Sequence, residues 1–274
     1  MMGKIHPSAI IEDGAELAAD IEVGPYSIIG RQVSLAAGVR IDSHVVISGA
    51  TRIGEGTVVH SHSAIGGPPQ FRGDPGTNAR LVIGAGTIIR EHVTINGGSV
   101  KGGGLTRVGD RGYFMSYSHI AHDCHVGDGV TFANGVALGG HVTIEDGVTI
   151  GGLAAIQQYG HIGRNAFIGG VTGVPDDVVP YGMVWGDRAR LRGLNLVGLK
   201  RKGLSRERIH ALRAAFRAIF FGAGTLAGRA ERAAERWEGI PEVLEIVRFI
   251  HAKRRRPICM PPRRAEADAE PERV

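Results

Sequence analysis

The chain has 274 residues, 43 of them glycine, with aromatic residues at only 5% and a formal net charge of +5. That length suits one large domain or two ordinary ones, and a core so poor in rings must be filled by aliphatic side chains in a regular arrangement. No run of 18 apolar residues argues for a membrane span, the first eleven residues lack the apolar stretch of a signal peptide, and two cysteines, Cys124 and Cys259, make no disulfide framework, which suits the cytoplasm. The basic excess fits an acidic protein partner or an anionic substrate, and no nucleic-acid partner is expected.

From the N-terminus the sequence repeats with a period of six. Ile5, Ile11, Leu17, Val23, Ile29, Leu35, Ile41, Ile47, Ile53, Val59 and Ile65 keep one register, which resumes at Ile83, Ile89 and Ile95. After a one-residue shift it runs from Val108 through Phe114, Ile120, Val126, Phe132, Leu138, Ile144, Ile150, Ile156, Ile162 and Ile168 to Val174. The fifth position is mostly small or β-branched, and glycine is frequent at the second, where it is expected to serve turns of unusual φ. A period of six is neither helical nor a plain strand alternation. It fits a short strand followed by a sharp turn, with three hexads closing a triangular coil of about 18 residues and each coil covering the last.

Two segments interrupt the register. Residues 66–82, GGPPQFRGDPGTNARLV, read as an excursion loop, and residues 101–107, KGGGLTR, as a turn that shifts the phase. The repeat stops after Pro180. Residues 1–185 are therefore assigned to the β-helix and 186–256 to a connection (186–204) and a helical domain. In that domain Ser205 caps a first helix and two more amphipathic helices lie near 225–237 and 240–254. Residues 257–274 are expected to form a disordered tail.

The chemistry concentrates on one strip. In the hexad that begins at Ile120, His122 holds the third position. Eighteen and thirty-six residues on, Gly140 and Gln158 hold the same position, so the three stack on successive coils about 4.8 Å apart. Both irregular loops leave from this corner. The arrangement suits acyl transfer. His122 takes a proton from an attacking hydroxyl, Asp123 orients the imidazole, and the N–H of Gly140 receives the developing oxyanion. Three other readings are open. His119, His122 and His125 as zinc ligands fall on two different hexad positions, and no metal is assigned. Cys124 falls on the inward fifth position and reads as a buried small residue rather than a nucleophile. The glycines at 97–98 and 102–104 are a weak phosphate-cradle signal in a glycine-rich fold.

The segments from His119 to Cys124, Leu138 to Val142 and Asn195 to Glu207 together resemble the acyl-carrier-protein–UDP-N-acetylglucosamine O-acyltransferases that begin lipid A synthesis. The similarity runs from about His6 to about residue 250. It implies a mainly β fold, a left-handed parallel β-helix of hexapeptide repeats with a C-terminal α-helical domain. It implies a cytoplasmic homotrimer with its sites between neighbouring subunits. No cofactor is bound, because the 3-hydroxyacyl group arrives on the phosphopantetheine of acyl carrier protein. By motif, His122 resembles the base, Asp123 its support and Gly140 the oxyanion donor. His119, His141 and Gln158 resemble groups around the substrate, Asn195 and Arg201 nucleotide contacts, and Gly170 the position that limits acyl-chain length. The chain departs from the usual pattern at Phe71 and Gly73, which replace an acid and a lysine, at Asn96 and Gln157, which replace histidines, and at Lys202, which replaces an arginine. Those changes leave acyl transfer to a different nucleotide sugar, such as a 3-amino UDP-sugar, as a second reading. A non-catalytic trimeric scaffold that binds acyl carrier protein is a third.

Overall fold

A computed structural model describes residues 4–75 and 79–262. Short strands, most of two residues, recur at the hexad starts and stack into three sheets of eleven, nine and eight strands, parallel except for one antiparallel strand that ends the first. Each sheet is one side of a triangular prism, a left-handed parallel β-helix. Ile120 pairs with Leu138 and Leu138 with Ile156, each step one coil of 18 residues. The interior is a column of aliphatics with two rings, Phe114 and Phe132, and Val23, Ile29, Ile65, Ile120 and Ile168 are all at most 2% exposed. Ile5 is 47% exposed, because it begins the open end of a solenoid whose other coils each have two neighbours.

The fifth positions are buried as expected, and their hydroxyls are satisfied by the next coil: Ser27 Oγ donates to Asp42 O at 2.7 Å and Thr57 Oγ1 to Gly84 O at 2.9 Å. The second-position glycines serve a different purpose from the one expected. Their φ is not positive; a Cβ on Gly54 or Gly151 would instead lie 2.5–2.6 Å from backbone atoms of the next coil. The left-handed residue is the fourth of the hexad, often not glycine: His44, His62, His92, Asp123, His141 and Tyr159 all have φ between 58° and 67°. Such a backbone costs roughly 1–2 kcal/mol per residue, which the pairing of every coil with its neighbours offsets.

Both interruptions leave from the corner between the nine- and eight-stranded sheets. The pairing step lengthens from 18 residues to 30 between Ile65 and Ile95, and to 25 between Ile95 and Ile120. No coil is lost; the extra residues bulge outward at one edge.

The segment 186–204 holds more structure than a connection. Gly182–Trp185 extends the eleven-stranded sheet, and Arg190–Leu194 folds back on it as an antiparallel strand. Helix α1 (Leu196–Arg201) follows, then α2 (Arg206–Phe221), capped by Ser205, α3 (Leu226–Arg236) and α4 (Pro241–His251). Leu212, Ala215, Phe216, Ile219 and Phe220 of α2 are buried at the expected helical spacing. The expected disordered tail is corrected over 257–262. Ile258 bridges to Asp177 and Cys259 is 1% exposed, because the chain returns to pair with the end of the β-helix. Residues 263–274 lie outside the described part. Among the described residues no helix is long and apolar enough to cross a membrane.

Candidate active site

His122 and Asp123 occupy the third and fourth positions of a hexad at the loop-bearing corner. The left-handed backbone at Asp123 (φ 59°) turns its carboxylate back toward the preceding side chain. Asp123 Oδ2 lies 2.7 Å from His122 Nδ1. A carboxylate only accepts, so Nδ1 carries the proton and Nε2 is left with its lone pair. Nε2 has no hydrogen-bond partner among the described residues.

Asp123 is 3% exposed and held from several sides. Ser99 N–H donates to Oδ1 at 2.9 Å and Ser99 Oγ to Oδ2 at 2.5 Å, while Asp123's own N–H donates to Thr106 Oγ1 at 2.8 Å. Burial alone would raise its pKa. The hydrogen bonds from Ser99 and His122 outweigh burial and hold the carboxyl below its ordinary value. The base is thus backed by a fixed negative charge.

Gly140 lies one coil on, under the imidazole. A Cβ there would sit 2.5 Å from Cε1 of His122, so the ring needs that space. The N–H of Gly140 donates to nothing among the described residues, whereas its neighbours Gly139 and His141 donate to Ile156 O and His122 O. A free N–H beside a free Nε2 is the geometry a tetrahedral oxyanion requires.

The other predicted residues divide among the three corners. On the His122 corner, His141 packs edge-on against His122 at 5.1 Å, its Nε2 3.7 Å from Asp123 Oδ2. Burial, the largest cause, lowers the pKa of His141. His119 Nδ1 meets Thr94 Oγ1 at 2.7 Å, and burial first, then the neighbouring His122, lowers its pKa. Phe71 brings its ring to 5.3 Å from that of His122, so the loop lays an apolar lid on the base. Gly73 (φ 87°) faces open space. Asn96 is buried and holds the loop root through Nδ2 to Pro68 O at 2.7 Å. Gln157 and Gln158 are exposed on the next coil.

Gly170 stands on a second corner, beside Gly152 and the exposed Val171, next to an apolar depression lined by Tyr117, Gly135 and Leu153. Asn195 and Arg201 stand at the third. Asn195 Oδ1 caps α1 at Gly198 N–H, and its Nδ2 donates to Asn165 O at 2.9 Å. A six-residue side separates corners by roughly 15–20 Å. One chain therefore does not bring Gly170, Asn195 or Arg201 to His122.

The histidine trio considered for zinc does not converge, since His125 is exposed on a strand of the eight-stranded sheet. Ligand-capable atoms of His122, Asp123 and His141 do lie within 4.8 Å of one another. Asp123 Oδ2 is already engaged by Ser99 and His122, which makes the group a hydrogen-bonded base. Cys124 is fully buried, its Sγ donating to Gly139 O, and burial pushes its thiol up to about 12. Ser99, Thr94 and Thr106 escaped sequence reading. Gly102 stands out in the sequence only as part of a glycine cluster, yet a Cβ there would lie 2.2 Å from the Asp123 carboxylate. The glycine cluster read as a weak phosphate cradle thus wraps a carboxylate of the chain itself.

Residues 177–259 match the family described as Udp N-acetylglucosamine O-acyltransferase, domain 2. Over 196 residues, 72% of this chain and 74% of the relative, the sequence is 56% identical to acyl-(acyl-carrier-protein)–UDP-N-acetylglucosamine O-acyltransferase of Caulobacter vibrioides. It is 46% identical to the protein of the same name from Agrobacterium fabrum, covering 95% of this chain and 96% of that one. Among solved structures, LpxA from Acinetobacter baumannii is similar with a TM-score of 0.89 at 37% identity, over 93% of this chain and 99% of that chain.

Proposed function

This chain belongs to the acyl-(acyl-carrier-protein)–UDP-N-acetylglucosamine O-acyltransferases, and we propose that it carries out the family's transfer directly, with His122 as the base. The acceptor is UDP-N-acetylglucosamine, and the donor is a 3-hydroxyacyl thioester on the phosphopantetheine of acyl carrier protein. The sugar's 3-hydroxyl oxygen attacks the thioester carbonyl while His122 Nε2 takes its proton. Negative charge collects on the carbonyl oxygen, which accepts from the Gly140 N–H. Asp123 stabilises the imidazolium without taking its proton. The C–S bond then breaks, the thiolate recovers the proton from Nε2, and an ester and a free carrier thiol remain. Lipid A synthesis in the cytoplasm is the setting in which both substrates meet.

The observation that carries this reading is the pairing of an unpartnered Nε2 with an unpartnered Gly140 N–H, above a buried, fully engaged Asp123. The spread of Gly170, Asn195 and Arg201 over the other two corners favours a homotrimer in which a neighbour's corner completes each site. The deciding experiment is mass spectrometry of the product from 3-hydroxyacyl carrier protein and UDP-N-acetylglucosamine. An O-acylated sugar nucleotide is expected; an amide, or thioester consumption without an acylated sugar, refutes the assignment.

A further inference from the structure

After α4 the chain turns back across the β-helix. Asp177 N–H donates to Pro257 O and Cys259 N–H to Asp177 O, both at 2.8 Å, so residues 257–259 pair with its final turn. That pairing fixes the basic run Lys253–Arg256. Arg254 is consumed within the fold: its guanidinium lies 3.6 Å from the buried Asp177 carboxylate and over the Phe249 ring. Arg256 Nε donates to the backbone carbonyl of Gln158 at 3.1 Å. Arg255 is placed differently. Its guanidinium carbon stands 4.5 Å from the centre of the Tyr159 ring, Tyr159 stacks on His141 at 4.6 Å, and His141 meets His122. The side chain is exposed, and among the described residues no carboxylate pairs with it. Stacking on tyrosine holds the planar fork in place while leaving its N–H groups for an anion.

We propose that Arg255 binds the diphosphate of the nucleotide sugar and so sets the affinity of the acceptor subsite. This rests on the acceptor being a UDP-sugar. Tyr159 follows Asp123 by two coils, so the cation stands roughly 10 Å along the column from the base. A diphosphate hangs from C1 of the sugar, two carbons from the reacting 3-hydroxyl, and falls within that span. The donor's anion does not: its phosphate is separated from the thioester by the whole neutral pantetheine arm. The same cation beside His141 also disfavours protonation of that imidazole, keeping a second positive charge away from the imidazolium that forms at His122.

The test compares Arg255→Met, which keeps an unbranched stem on Tyr159 and drops the charge, with wild type and Arg255→Lys. A charge-assisted contact of this kind is worth roughly a tenfold change or more in affinity. KM for UDP-N-acetylglucosamine and the Kd of UDP alone should both rise about tenfold in Arg255→Met, with KM for acyl carrier protein unchanged. Arg255→Lys should recover part of the loss. Unchanged UDP affinity overturns the proposal. So does a rise confined to KM for acyl carrier protein, which would assign the cation to the pantetheine phosphate. A loss of UDP affinity in Arg255→Met that Arg255→Lys does not reduce at all marks a packing role and also overturns it. If wild type makes no product from UDP-N-acetylglucosamine, the functional reading itself has failed, and UDP binding by wild type and variant still reports on the anion site separately.

Discussion

Two corners of the prism carry rings at the same repeat position and differ in what those rings do. On one, Tyr26, His44, His62, His92 and Tyr117 stack in series with centroids 4.8–5.1 Å apart. The three histidines are exposed, and none makes a side-chain hydrogen bond among the described residues. On the other, His141 and Tyr159 continue the fourth-position column that Asp123 begins, and His122 is 8% exposed beneath the loops. Both corners share a φ near 60° and a coil spacing that brings imidazoles together. What separates them is a carboxylate at one fourth position and two loops that bury it, supply Ser99 and exclude water. An imidazole on this scaffold becomes a base through that support, not through its place in the repeat.

The comparison is most exposed to a paired substitution. His122→Ala should lower kcat by roughly 10²–10⁴-fold, the usual scale for a positioned base. His44→Ala, several coils away on the unsupported corner, should leave kcat unchanged. Steady-state rates on both folded proteins are the measurement. Equal losses in the two variants would mean that the column of rings, not the carboxylate, governs activity.

A smaller effect should come from the carboxylate's own support. Ser99→Ala removes the hydroxyl donor at 2.5 Å from Asp123 Oδ2 and leaves the backbone donor in place. Hydrogen bonds to buried charged groups are worth about 1.5–3 kcal/mol, and stability at neutral pH should fall by that order. The pH dependence has a definite sign. Asp123 has a depressed folded pKa, so its stabilisation is present above the unfolded value of about 3.9 and lost as pH falls through the folded value. Without the Ser99 hydroxyl the folded value rises toward the unfolded one, so Asp123 contributes less stability above that window and the loss is complete at higher pH. The acid-unfolding midpoint followed by circular dichroism should therefore move upward; an unmoved midpoint would mean the hydroxyl adds nothing to the charge on Asp123.

Much of this was legible in the sequence because the repeat is strict. Once Ile120, Leu138 and Ile156 share a register, the stacking of His122, Gly140 and Gln158 follows from counting by eighteen, and so does the common origin of the two loops. What counting does not reach lies where the register breaks. Ser99 and Gly102 sit in a turn whose pairing step is 25 residues, so no period points from them to Asp123. Arg255 is nearly a hundred residues beyond Gln158 and arrives there only because Ile258 and Cys259, which fall in the segment expected to be a disordered tail, pair with Asp177. The second-position glycines show a third limit. Their spacing was visible, but the reason for them is the closeness of the next coil's backbone, which composition does not report.

Gly170 offers the finest division between the corners, because it lies on the ring-stacked one while its proposed role belongs to catalysis. It is exposed, and a Cβ there would approach Gly152 O at 3.2 Å, a tight but not prohibitive contact. Tyr117 and Leu153 flank the depression left by Gly135, so an alkyl chain laid along this corner meets apolar walls and, at Gly170, no side chain. In a trimer that sets this corner against a neighbour's His122, a long hydroxyacyl chain would run past the glycine. Each methylene housed there contributes about 0.8 kcal/mol, or several-fold in kcat/KM. Gly170→Met should fill the path and move the preference toward chains shorter by a few methylenes, with kcat on the best short substrate preserved because His122, Asp123 and Gly140 are untouched. The measurement is kcat/KM over a series of acyl carrier protein thioesters for both proteins. If the folded, active variant keeps the wild-type chain-length profile, the acyl chain does not pass this corner, and the ring-stacked side of the prism has no part in the site.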